Sequence, residues 1–296
     1  MVELRENVLS IIKRKRSFPR LRVNLIMTFN TTKCQEIFRN RFTGASGIPF
    51  HDFNSGKTIN KTTVDPSDIA LYSNARKDDI LSFYYKSLLS FSEGLDAFSR
   101  KNYTWATIKL YYSVYFGLRS SLLCRNIVLV RANKHLYKFK IALGEQYDKP
   151  KEMTDHGGTI HTYVDLFQRT DFFCSNTLEN MNAYFWLKNC REIVNYKDGV
   201  FHDPETIDIW DNIIEDITKF GIKKTLTCFV DEKDKYCFLP EYAVLAIPLN
   251  RILIVAQEVK NELSDQLQDS QVDWIKSILK DNLDSEYINK LLLSSD

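Results

Sequence analysis

The chain has 296 residues, 44% of them hydrophobic and 13% aromatic, enough to bury the core of one large domain or of a core domain with attached pieces. Its 40 basic and 38 acidic residues leave a formal charge of +2. That balance excludes a global field drawing the surface to nucleic acid or membrane, so any electrostatic targeting needs a local patch.

Six cysteines (Cys34, Cys124, Cys174, Cys190, Cys228, Cys237) lie scattered without a C-x-x-C pair. This reads as reduced, buried thiols and not as a disulfide framework or a zinc site. The first residues, Met-Val-Glu-Leu-Arg-Glu, carry acids and lack the apolar stretch of a signal peptide. No apolar run approaches the roughly 18 residues of a membrane span, so the expectation is a cytoplasmic protein with no membrane partner.

Residues 2–16 read as a short helix that runs into Lys13, Arg14, Lys15 and Arg16, with Arg20 and Arg22 just beyond Pro19. Six basic residues in ten is the densest charge of the chain. Such a run is either a solvated helix C-terminus whose cations suit the dipole or a contact for a phosphate backbone. Residues 21–29 alternate as a strand, and 43–66 carry loop signals at Gly44, Gly47, Pro49, Gly56 and Pro66. The Gly-Lys-Thr at 56–58 is no phosphate loop: the position that needs an earlier glycine is His51, and no strand precedes it.

A long amphipathic helix is predicted over 77–99, with Asp78 and Asp79 near its start. Three residues later a second begins, repeating Trp105, Ile108, Tyr112, Tyr115, Leu118 and Leu122 at steps of three or four. A strip of Ala106, Lys109, Ser113, Gly117 and Ser120 marks a narrow face open to close approach. The short link makes the two antiparallel. Beyond them come an apolar run at 125–131, a helix near 133–144, a short helix at 159–169, a long one over 178–196 and another at 205–220 capped by Gly221. Residues 225–230 and 236–239 flank a charged loop and read as a β-hairpin. Pro248 then opens a helix to about 267, followed by helices near 271–281 and 284–293. The predicted protein is mainly α: a mixed N-terminal segment (1–76), an up-down helical bundle (77–220), and a C-terminal hairpin with helices (221–296).

The five histidines include no H-x-x-x-H pair, and neither a metal site nor a nucleophile motif is present, so no metal and no cofactor are expected. The informative segment is 190–203. On a regular helix Arg191, Asn195 and Asp198 share one face, and His202 would extend it if Gly199 did not break the helix first. A polar stripe on a buried helix needs partners or a cleft. It is either an Arg–Asp brace or a groove against the helix at 103–123, with Lys109 and Tyr196 beside it. Arg119 is a second phosphate ligand or a partner for Glu192 or Asp198.

Together, Tyr84-Tyr-Lys-Ser-Leu-Leu89, the segment 106–123 with its Tyr111-Tyr112 pair, His156-Gly-Gly-Thr-Ile-His161 and Arg191-Glu-Ile-Val-Asn-Tyr196 resemble the HEPN superfamily of helical domains, found in prokaryotic toxin, RNA-processing and phage-defence proteins. The resemblance spans about 77–220. It implies a dimeric helical bundle, RNA or nucleotide as ligand, and metal-independent ribonuclease chemistry. Arg191 would then bind the scissile phosphate, Asn195 orient it and His202 act as acid/base, with the 13–22 cluster holding flanking RNA. Ribonuclease members carry an Arg, four to six intervening residues and then a His. Here that window holds Tyr196, Lys197 and Asp198, which favours the alternative of a catalytically silent module binding a protein partner in a defence or toxin complex.

Overall fold

The computed structural model describes residues 31–43, 59–132, 135–264 and 267–293. The predicted helix at 2–16, the strand at 21–29, and Lys13, Arg14, Lys15, Arg16, Arg20 and Arg22 lie outside those residues. The described chain is mainly helical with two small antiparallel hairpins.

Helix α1 (Lys33–Thr43) is followed by α2 (Pro66–Ser99) and α3 (Tyr103–Cys124). α2 starts eleven residues ahead of the predicted 77 because Asp65 caps it. The Asp65 carboxylate accepts from the Ser67 and Asp68 amides, Asp68 returns the bond to the Asp65 amide, and Pro66 occupies the first turn. Asp79 is therefore no first-turn residue. It is buried and accepts from the Lys33 and Cys34 amides at 2.7 and 2.8 Å, holding the N-terminus of α1. Burial raises its pKa, and those two amides oppose the rise.

The α2–α3 pair is antiparallel, turned by Lys101 at φ 60°. The narrow face of α3 meets α2 and the later helix α10 (Pro240–Glu262), and not the Arg191 stripe: Ser87 Oγ donates to the Ser113 carbonyl and Ser120 Oγ to the Ile80 carbonyl, while a Cβ at Gly117 would sit 3.1 Å from Val255 and 3.2 Å from Ser87. Lys109 pairs with Glu93 of α2.

After α3, residues 135–140 form a strand where a helix was predicted. β1 (Ile127–Ala132) and β2 (His135–Lys140) pair antiparallel, with Ala132 opposite His135 and Ile127 opposite Lys140. Leu136, Tyr137 and Phe139 suit a half-buried pleated surface better than a helical stripe. α4 (Asp155–Phe167) begins four residues earlier than expected, capped by Thr154 on the Gly157 amide. A short α5 (Phe172–Ser175) leads into β3 (Thr177–Leu178) and β4 (Met181–Asn182), joined by Glu179 and Asn180, both at positive φ. That hairpin displaces the start of α6 (Ala183–Glu192) from 178 to 183.

The predicted hairpin at 225–239 is absent. Residues there form α8 (Ile222–Asp231) and α9 (Lys233–Tyr236), after α7 (Asp211–Phe220) and Gly221 at φ 81°. Leu226 and Phe229 are buried one helical turn apart against α10, and that packing overrides the β preference of the Thr, Cys, Phe and Val residues. Pro240, not Pro248, opens α10; Pro248 lies inside it, fully buried. α10 is apolar enough over 18 residues to cross a membrane by composition, but 72% of that stretch is buried among α2, α3 and their neighbours. α11 (Asp269–Leu279) packs on α2, and α12 (Ser285–Leu291) accepts the Tyr84 hydroxyl at the Leu291 carbonyl. One hydrophobic core runs from Cys34 to Leu293 and does not divide at Gly221.

Inside it sits a fully buried cation. Arg251, 1% exposed, donates to Asp171 at 2.9 Å, to Ser121, and to Glu258 at 3.3 Å, with its guanidinium 4.9 Å from the Tyr163 ring centroid. Asp171 also accepts from the Tyr163 and Tyr184 hydroxyls and caps α5.

Candidate functional site

The site is built by α3, α4 and α6. α3 presents Tyr111 and Tyr112; the first turn of α4 brings His156; the last turn of α6 brings Arg191. After Glu192 the helix widens into a π-turn, Ile193–Lys197, closed by a bond from the Asp198 amide to the Ile193 carbonyl at 2.8 Å. One extra residue in the turn shifts every later side chain around the axis. The fifth residue after Arg191 takes the place that the fourth would hold on a regular helix.

Tyr196 consequently joins Arg191 and Asn195 does not. Arg191 Nη2 donates to the Tyr112 hydroxyl at 3.4 Å and to the Tyr196 hydroxyl at 3.3 Å. Its guanidinium carbon lies 5.7 Å from the Tyr111 and Tyr112 centroids and 4.9 Å from that of Tyr196. Among the described residues no carboxylate lies within salt-bridge reach of Arg191, and its buried Nε has no hydrogen-bond partner. The adjacent Glu192 is taken by Lys188 at 2.8 Å, and that bond holds its carboxyl below the usual range.

His156, which is not among the predicted site residues, completes the cluster. Its Nδ1 is 2.8 Å from the Tyr111 hydroxyl, and its ring centroid lies 4.4 Å from Tyr115 and 5.5 Å from Tyr112. Burial, then the charge of Arg191, push its pKa below the ordinary imidazole value. Beside it Gly158 is tightly constrained: a Cβ there would lie 2.5 Å from the Glu152 carbonyl oxygen and 2.6 Å from Leu136. At Gly157 the obstacle is only the Glu152 carboxylate, the end of a half-buried, movable side chain. Gly158→Ala is expected to cost about 1–3 kcal/mol in denaturant unfolding, and Gly157→Ala clearly less.

The depressed pKa also sets a pH signature. The unfolded chain takes up a proton on His156 before the folded one does, so this residue's contribution to stability falls as pH drops below about 6.5 and levels off below the folded pKa. Melting curves from pH 7 to pH 5 are expected to show a smaller loss for His156→Gln than for wild type; a steeper loss in the variant would contradict the placement.

The remaining predicted residues separate from Arg191. His202 Nε2 pairs with Asp198 at 3.2 Å, and both line a cleft that does not include Arg191. Arg119 is partner to neither Glu192 nor Asp198: it donates to the Leu129 carbonyl at 2.9 Å and lies over the Phe83 ring at 4.7 Å. Lys109 is occupied by Glu93. What remains together is Arg191, Tyr112, Tyr196, Tyr111 and His156: a cation without a carboxylate, hydroxyl groups and an imidazole biased to neutrality, suited to hold an anionic oxygen and accept a proton beside it. No family model, curated protein or solved structure matches the chain.

Proposed function

We propose that the chain is a HEPN-like subunit of a prokaryotic defence or toxin-type system that binds RNA or a nucleotide at the Arg191 cluster and cleaves RNA without a metal. The observation that carries this reading is the Arg191 guanidinium, which has an orphaned Nε and tyrosine hydroxyls, but no described carboxylate, around it. Arg191 holds the scissile phosphate and stabilises the charge that builds on it. His156 replaces His202 as the proton acceptor. The ribose 2′-oxygen bonds to phosphorus, its proton passes to His156, the bond from phosphorus to the 5′-oxygen breaks, and that oxygen takes a proton from water. Asn195 has no part in this arrangement, and Tyr196 takes its orienting role.

Fluorescence anisotropy with a labelled RNA oligonucleotide tests the binding half. Affinity is expected to fall with rising salt, and Arg191→Ala to reduce the salt slope by about one phosphate contact. Wild-type protein that binds no RNA at low salt would sink the reading.

A second reading, a silent module that docks a protein or a second copy of the chain, draws on the surface after the π-turn. Tyr196, Val200 and Phe201 are 69%, 64% and 65% exposed within one short segment. Large apolar groups exposed together are a mark of interaction surfaces.

A further inference from the structure

Asp198 and His202 serve no step at the Arg191 cluster, and the cavity they line is of ligand size. The cleft measures about 390 Å³ and is formed by the π-turn together with residues 206–209, within the range of small-molecule sites. Its walls are aliphatic: Ile193, Val194, Ile207 and Ile209. Its charged side chains are carboxylates, Asp198 and Asp208, which favour a donor. Among the described residues the Asp198 carboxylate is paired only with His202. The Asp208 carboxylate is exposed and has no hydrogen-bond or ion-pair partner among the described residues. His202 Nε2 faces Asp198, which leaves Nδ1 as the ring nitrogen without a partner among the described residues. Among the described residues no lysine or arginine lines the cavity beside the two carboxylates.

We infer that this cleft is a binding site for a small organic cation, an alkyl or arylalkyl amine whose ammonium group reaches Asp198 and Asp208 while its apolar body lies against Ile193, Ile207 and Ile209. An acid of the same shape meets two like charges and no donor other than the Thr206 hydroxyl. The site is separate from the Arg191 cluster and does not depend on the RNA reading. It shares with that cluster only the π-turn, which gives Tyr196 to the cluster and Ile193 and Val194 to the cleft.

The test titrates the full chain with phenethylamine and, as a matched body of opposite charge, phenylacetate, followed by ligand-observed NMR and calorimetry. Phenethylamine is expected to saturate one site, with phenylacetate weaker by about tenfold or more, the swing from attraction to repulsion by two partly exposed carboxylates. Asp208→Asn, on an exposed residue, is expected to weaken the amine about threefold. Ile207→Trp is expected to fill the cleft and abolish binding, and Arg191→Ala to leave it unchanged. The inference is overturned if the amine does not saturate, if phenylacetate binds as tightly, or if correctly folded Asp208→Asn and Ile207→Trp both bind like wild type.

Discussion

Arg251→Met is expected to cost about 3–5 kcal/mol of folding stability, because it leaves the buried Asp171 carboxylate without its cation. Asp171 and Glu258 face Arg251 from α5's cap and from two turns along α10. Glu258 keeps a second partner in Arg125 at 3.0 Å, at the edge of the fold, but Asp171 has no other cation within salt-bridge reach among the described residues. Its remaining partners are the hydroxyls of Tyr163 and Tyr184 and two helix-cap amides, which donate hydrogen bonds and carry no net charge. Methionine matches much of the arginine volume, so the loss isolates the charge and not a cavity. Replacing Asp171 by Asn in the same background is expected to recover part of it, since the uncompensated charge is then gone. Guanidinium unfolding measures both; a loss under about 1 kcal/mol for Arg251→Met would show that the pair is solvated in a way its burial does not suggest.

The second large effect falls on activity. Arg191→Ala is expected to lower RNA cleavage by about 10²–10³-fold, the usual cost of removing one preorganised donor to a developing anion. The side chain contributes to no salt bridge among the described residues, so its removal strands no carboxylate and melting should shift little. Arg191→Lys should recover little, because one ammonium cannot serve Tyr112, Tyr196 and a phosphate with the planar fork that the site is shaped around. Initial rates with thermal melts on the same samples distinguish loss of chemistry from loss of fold. Equal losses in both would mean that Arg191 is a brace.

The long helix at 103–124 was legible because its period is written in large side chains, and Gly221 because a helix ends where the chain must take positive φ. The start of α2 was also written, in Asp65-Pro-Ser-Asp68, but it is embedded in loop-rich composition that outweighs a local cap. The hairpin predicted at 225–239 failed where β-favouring residues pack at a helical period, a preference that only the presence of α10 decides. The site was half legible. Arg191 and the Tyr111-Tyr112 pair stand out by pattern, whereas the regular-helix assumption linked Arg191 to Asn195 and Asp198. Periodicity carries no mark of a π-turn, so the exchange of Asn195 for Tyr196 was invisible. His156 lies 35 positions before Arg191 in the chain, and only the early start of α4, capped by Thr154, turns it toward the α3 tyrosines.

The proposed pairing of Arg191 with His156, and not with His202, is tested most directly by RNA cleavage in the presence of a metal chelator, comparing wild type with His156→Gln and His202→Ala under identical conditions. The expected result is cleavage by wild type, a loss of about 10²-fold or more in His156→Gln, the usual weight of a positioned acid–base group, and wild-type rates in His202→Ala. No cleavage by wild type, or a loss in His202→Ala matching that in His156→Gln, would contradict it.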